Sequence, residues 1–549
     1  MRTAVGFIFS LLSCLGSFAQ YLPIHNSGLA ENWRRAQLEG EKDINKSFCV
    51  RPINLNDSTG YNSIFQFKDT STTDGSVLYS GKKSILRLLP LSFIQQYNSH
   101  HPYGWNDGSM IPARGYQSQI SGGIYFRKGH LSIQFQPEFV YAKNRDFSTF
   151  PTSLNDSIWA SYYYVQNRID NPEKFGSGSY LKFFPGQSSV RLNIKKLSLG
   201  VSTENLWWGP GVRNALLMSN NAPGFLHATF NSNAPVLTPV GSFEWQVVSG
   251  LLKNTNILPP DTSRKLNGVL MYEPKNQTDR YLNGMVITWQ PKWTKGLHLG
   301  FSRAFYQYRN NVHNSLNGYL PVLSAFFKTN AENEDSYGRD QLLSIFFRLI
   351  LPKDQAELYG EFGRNDHSQN GRDLILEPEH ARAYLFGFRK IFPQKNNKDV
   401  EAYLEIANLQ SPSTLNLRAL EGWYTHYQVR QGYTNMGQVI GAGIGPGSGS
   451  QTLGVNFING INKTGLMLER IVWNNDFYYN AFAPTRNFGR HWVDLSATFN
   501  RSMTWKRFIL EASLSLIRSY NYQWNYDYIN NKNVDVMNVH STISIVYPF

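Results

Sequence analysis

Two pairs of carboxylates offer the most reactive chemistry in this chain. Glu357 and Glu361 flank Tyr359, and Glu401 and Glu405 flank Tyr403. On a strand, residues four apart point to the same face, so each pair shares one. Two carboxylates on one face could serve glycoside hydrolysis if their separation suited it. The same pattern serves to neutralise arginines such as Arg348, Arg389 or Arg470 inside a filled lumen, because a buried charge needs a partner. The second reading is adopted, because the opposite faces carry Ala356, Leu358 and Phe362, and Ala402, Leu404 and Ile406. Other catalytic patterns are weaker. Glycine recurs at 441, 443, 445, 447 and 449, but no Lys-Ser/Thr ending follows and no helix opens there, so no nucleotide is expected. His100 and His101 are adjacent, which suits no metal geometry. No His-x-x-x-His, Cys-x-x-Cys or Gly-x-Ser-x-Gly occurs. No catalytic residue, metal or cofactor is expected, and the chain is read as a non-enzyme.

The elements that must position these residues are strands. In residues 130–141, Leu131, Ile133, Phe135, Phe139 and Tyr141 face one way; His130, Ser132, Gln134, Gln136 and Glu138 face the other. Period two is the strand signature. Apolar side chains outside and polar ones inside suit a barrel in lipid. The alternation recurs at Met285, Ile287 and Trp289, at Leu343, Ile345, Phe347, Leu349 and Leu351, and at Leu510, Ala512, Leu514 and Leu516. About eighteen strand candidates follow residue 84, in line with the even strand numbers of bacterial barrels. Long polar connectors fall near 306–340, 363–380, 409–450 and 520–533. The fold expected is all-β: a transmembrane outer-membrane β-barrel of about 18 antiparallel strands, with a short N-terminal, partly helical segment.

The ends of the chain agree. Residues 1–19 read as a signal peptide, with an apolar core followed by Ser17-Phe18-Ala19. Residues 20–83 form an N-terminal periplasmic segment, a possible partial plug, and residues 84–549 the barrel. Residues 32–41 are the best helix candidate, with Asn32 as its cap. Residues 57–74 read as loop. Residues 539–549 alternate and end in Phe549, as the barrel-assembly signal of outer-membrane proteins does. No run of about 18 apolar residues follows the N-terminus, and mean hydropathy is −0.39. A protein that spans lipid without such a run must close a barrel. Aromatic residues make up 14% of the chain, which suits interfacial girdles. With Cys14 removed, Cys49 has no disulfide partner. Net charge is +14; it favours anionic partners without choosing one, and export makes nucleic acid an unsuitable one.

Three separated blocks then stand out: residues 103–116, YGWNDGSMIPARGY; 205–224, NLWWGPGVRNALLMSNNAPG; and 424–451, YTHYQVRQGYTNMGQVIGAGIGPGSGSQ. Together they resemble the signature of the Wzi-type capsule-assembly proteins, over roughly residues 84–549. That resemblance implies an 18-stranded outer-membrane barrel whose N-terminal region closes the periplasmic mouth. It also implies a monomeric lectin that binds and anchors capsular or exopolysaccharide at the cell surface. The alternative is an outer-membrane channel passing small solutes or polymer through the lumen. Aromatic faces and polar side chains hold sugars, and arginine adds affinity for anionic ones. The blocks supply Trp105, Asn106, Asp107 and Arg114; Trp207, Trp208, Arg213 and Asn214; Tyr424, His426, Tyr427, Arg430, Tyr433, Asn435 and Gln438. Alternatively, Trp207 and Trp208 are girdle residues and Asn106-Asp107-Gly108 is only a turn. The further partners expected are outer-membrane lipid, lipopolysaccharide, and the barrel-assembly machinery through the strand ending at Phe549.

Overall fold

Alternation along each strand builds a sheet with one apolar and one polar face, and closing it removes both edges. The structure is a computed structural model. It describes residues 20–22, 27–55, 75–324, 338–365, 371–395, 398–416, 420–527, 530 and 532–549. The expected signal peptide and the expected loop at 57–74 lie outside the described residues.

Eighteen antiparallel strands form one closed barrel. The first is Ser84–Asn98 and the last Val536–Tyr547. These two pair from Asn98 opposite His540 to Leu91 opposite Tyr547, so the C-terminal strand seals the wall. Two strands are each broken in the middle: Leu131–Phe135 resumes as Glu138–Ala142, and Tyr180–Phe184 resumes as Ser189–Ile194. Short additions, Val77–Gly81 and Val236–Thr238, extend one rim.

The faces divide as the alternation predicts. Leu131, Phe135 and Phe139 are exposed, while Ser132, Gln134 and Glu138 are buried inside. Exposed apolar side chains adjoin across the strands: Leu131 with Leu192, Val190 with Val201, Leu199 with Phe230, and Phe139 with Phe183. A continuous apolar exterior of this kind is a lipid-facing belt. Arg470 departs from expectation. It follows Glu469 directly, so when Glu469 faces inward Arg470 must face out. It is exposed and donates to Gln451 Oε1 at 2.9 Å.

Connections are tight at one end, as between Asn459 and Asn462 or Trp505 and Phe508. They are long at the other, as between Asn408 and Gly449. Near the tight-turn end the helix α1, Ser27–Leu38, lies against the inner wall. It starts earlier than the sequence suggests. Asn32 lies within it and accepts from Arg35 rather than capping the first turn. Arg34 Nε donates to Glu357 at 2.8 Å, and Arg348 and Arg389 approach the same carboxylate at 2.7 and 3.5 Å. Arg389 also reaches Glu401 at 3.2 Å, and Lys463 reaches Glu31 of α1 at 2.7 Å. Glu357 and Glu401 thus neutralise buried arginines. Cys49 is buried beyond α1, and burial pushes its thiol up to about 12, so it is unreactive.

Placing a charge on the belt tests the exterior assignment. Leu199→Arg is expected to cost about 2–4 kcal/mol near mid-membrane and less toward either interface, and Leu199→Phe to be nearly neutral. Urea unfolding from phospholipid vesicles measures both.

Candidate functional site

Three long connections turn back from the far rim into the lumen: residues 99–114, 203–226 and, of the described residues, 409–416 and 420–448. They carry the three sequence blocks, and they interlock. Asn106 Nδ2 donates to Arg213 O at 2.9 Å, and Asn220 Nδ2 returns a bond to Asn106 O at 2.7 Å. Ser219 N donates to Ile440 O at 2.8 Å, and Tyr424 Oη donates to Leu216 O at 2.7 Å. Gln438 Nε2 donates to Met110 O at 3.0 Å. Glycine is needed where the blocks touch: a Cβ at Gly443 would stand 2.5 Å from Trp105 Cβ. At Gly209, φ is +107° and a Cβ would meet Glu361 Oε2 at 2.8 Å. The Gly-Pro-Gly turn is therefore required both by backbone conformation and by lack of space.

The wall holds this assembly through carboxylates. Glu405 accepts the backbone N–H groups of Val212, Arg213 and Asn214 at 2.8, 3.1 and 2.8 Å. It also accepts from Tyr359 Oη at 3.0 Å. Glu361 accepts from Leu216 N at 3.3 Å and Ser344 Oγ at 2.7 Å. Glu469 takes Arg213 in a two-pronged pair at 3.0 and 3.1 Å, and the same guanidinium lies 4.0 Å from the Trp105 ring centroid. Each sequence pair therefore splits its work. Glu357 and Glu401 face arginines, whereas Glu361 and Glu405 face loop backbone.

The candidate residues fall into separate places. Trp105, Asn106, Asp107, Trp207 and Arg213 line an inner cavity of about 370 Å³, closed on the α1 side by Glu31 and Arg34. Burial pushes the Asp107 carboxyl up to about 6, against a 2.7 Å bond from Gln96 that favours its charged form. Trp207 and Trp208 pair as a short ribbon with Arg51 and Val50 inside the lumen, so neither is a girdle residue. Trp208, Asn214, Tyr424 and Tyr433 are fully buried within the packing, with Trp208 Nε1 bound to Gln246 at 2.8 Å. His426 is buried, and its Nδ1 accepts from Gln428 N and Val429 N at 3.2 and 3.0 Å. Asn435 Nδ2 donates to Pro223 O at 3.0 Å, and Tyr427 is exposed. Arg430 pairs with Glu273, and Arg114 donates to Ser99 O at 3.0 Å and Asp146 O at 2.6 Å.

A second cavity, of about 270 Å³, lies among the long connections. Gln438 lines it, as do Trp473, Trp492, Tyr522, Trp524, Glu173 and Asp494. Tyr103 and Gly104 line both cavities, so this strip lies between them. The helices Asp156–Gln166 and Asn475–Phe482 pack beside it. Its tryptophans escape a reading by blocks. The available signal is that Trp473 and Trp492 each lie one residue beyond a strand, next to Val472 and Val493.

Residues 108–476 match the protein family described as Capsule assembly protein Wzi. The chain belongs to the Wzi capsule-assembly family. The matched stretch holds the second and third blocks whole and the first from Gly108 onward. Among solved structures, the chain is similar to Wzi of Escherichia coli, an outer membrane protein involved in group 1 capsule assembly and a carbohydrate-binding β-barrel. The two share 14% identity at a TM-score of 0.60, over 97% of this chain and 100% of that one. The OccAB2 structure from Acinetobacter baumannii is similar at 10% identity and TM-score 0.38, over 83% of this chain and 97% of its own. A BenF-like porin from Pseudomonas fluorescens gives 8% and 0.38, over 84% and 98%. No curated protein sequence matches significantly. This Wzi-family chain is an outer-membrane, multi-pass β-barrel.

The hold of Glu405 on residues 212–214 is open to test. Glu405→Ala leaves one buried and two part-buried N–H groups without their acceptor, a buried one worth about 1–3 kcal/mol and the others less. The barrel wall is expected to stay folded while trypsin gains access to Arg213. Limited proteolysis of the detergent-solubilised barrel, read by peptide mapping, shows whether that cut appears.

Proposed function

We propose that this barrel holds capsular or extracellular polysaccharide at the cell surface, with the long connections outward and the tight turns toward the periplasm. The observation that carries the reading is an aromatic, polar-lined cavity among the outward connections, above a lumen occupied by three interlocked loops. Aromatic faces offer flat apolar area to a sugar ring, and convergent polar groups orient it. One such cavity binds weakly, but a polymer meets many copies of the protein, and avidity retains it. The carbohydrate binding of the similar E. coli barrel supports this.

On this reading, Trp105, Trp207 and Arg213 shape the floor under the cavity, and the sugar contact falls to the outer tryptophans. Helix α1 and its arginines act as a partial plug at the periplasmic end. The barrel works as a monomer in contact with outer-membrane lipid and lipopolysaccharide. The strand ending at Phe549 would be the segment taken up by the barrel-assembly machinery. No covalent step is required of any residue.

Two measurements bear on the reading. A strain lacking the protein is expected to make the same total polysaccharide and to shed more of it, read by assaying cell-attached and medium fractions separately. If neither fraction changes, the surface-holding role is wrong. In planar bilayers, the purified barrel is expected to show steady conductance far below that of an open porin of like strand number, because loops and α1 occupy the lumen. Large steady currents would favour the channel instead.

A further inference from the structure

We propose that the outward cavity takes sugar residues bearing no negative charge, and that it rejects uronic acids and other anionic sugars. This rests on the surface-holding reading above and names the ligand class of that same cavity. The protein as a whole points the other way. A net charge of +14 would suggest an acidic polymer.

The cations, however, are committed elsewhere. Arg213 lies under the strip between the cavities, bound to Glu469. Arg430 pairs with Glu273, and Arg114 is held by backbone carbonyls. Arg34, Arg51 and Arg389 line the inner cavity. Among the described residues, no lysine or arginine lines the outward one. His101 does, and burial pushes it down to about 3, so it brings no positive charge at neutral pH.

What lines the cavity instead is negative. Asp494 accepts from Trp473 Nε1 at 2.8 Å and from Trp492 Nε1 at 3.0 Å. Glu173 accepts from Phe150 N at 3.0 Å and from Tyr162 Oη. These bonds fix both carboxylates, and each oxygen has a second lone pair that a sugar hydroxyl could use. The rings add to the same field, because the face of an aromatic ring is its negative side. Trp492 stands nearly perpendicular to both Trp524 and Tyr522, at 5.1 and 5.2 Å between centroids. Such walls attract the weakly positive C–H face of a pyranose and repel a carboxylate. Among the described residues, Trp524 Nε1 is buried without a hydrogen-bond partner, a donor that a sugar oxygen could satisfy. Gln166 and Gln523 supply amides with no net charge. An anionic sugar here would meet two carboxylates, Glu173 among them although burial raises its pKa, and no lysine or arginine among the described lining residues. Like charges placed together are disfavoured.

The test is calorimetry on the full barrel in detergent, with oligomers of one length: glucose, N-acetylglucosamine, glucosamine and galacturonic acid. At least one uncharged oligomer is expected to bind about tenfold or more tighter than the galacturonate. Glucosamine binding best would place the cavity among amino-sugar sites and keep the exclusion of anions. Glu173→Gln should narrow the gap between uncharged and galacturonate oligomers by about threefold. Trp492→Ala should weaken the uncharged oligomer about tenfold with the barrel still folded, as read by heat-modifiable migration. Galacturonate binding as tightly as the others overturns the inference and leaves the surface-holding reading intact. So does unchanged affinity in Trp492→Ala, which would put the sugar elsewhere. If no oligomer of any class binds, the inference falls, and the surface-holding reading is decided by the cell-attached and medium fractions instead.

Discussion

Glu405 stands on the inner wall and accepts the N–H groups of Val212, Arg213 and Asn214, donors that no helix or sheet ladder satisfies. Each side of this contact needs the other. A buried carboxylate without partners is costly, and so are buried N–H groups without an acceptor. Once residues 212–214 are seated, Arg213 can reach Glu469 and cover Trp105. Leu216 then presents its carbonyl to Tyr424, and Asn220 presents its amide to Asn106. The second block is therefore the crossbar to which the other two are attached, and the wall carboxylates hold it there.

A barrel of this size makes such a crossbar necessary. Sixteen to eighteen strands leave a water-filled channel unless something occupies it. Here loops occupy it from one end and α1 approaches from the other. Everything brought inside carries backbone polar groups and charges that must be matched. Glu357 shows the consequence: Arg34, Arg348 and Arg389 converge on this one carboxylate. A network of that kind contributes to keeping one arrangement of the filling.

The barrel was legible because period two is imposed by lipid outside and polar filling inside, and residues 130–141 carry it without a break in pattern. The strand itself does break near Gln136, yet the faces keep their sense across the gap. The glutamate pairs were legible as lumen residues for the same reason, whereas their partners were not. Alternation says which way Glu405 points and nothing about a loop nearly two hundred positions earlier in the chain. Arg470 was misplaced by proximity to acidic residues, although its parity next to Glu469 already put it outside. The start of α1 was misplaced because Asn32 has a capping side chain, and in the helix that side chain serves Arg35 instead.

The blocks that carry the family resemblance are mostly buried, and this changes what the resemblance means. Trp208, Tyr424 and Tyr433 have no surface to offer a polymer while the loops are packed. In this chain their side chains are taken up by the crossbar and its neighbours, Trp208 by Gln246 and Tyr424 by Leu216. Ligand chemistry is free to vary only where neither lipid nor the crossbar dictates the side chain. On the proposed reading those positions include the cavity walls within residues 147–173, 473–492 and 522–524, where Glu173, Trp492 and Trp524 stand. A family match therefore reports mainly how the barrel is filled, and the wall of the second cavity combines block residues such as Tyr103, Asn221 and Gln438 with Glu173, Trp492 and Trp524, which the blocks do not contain.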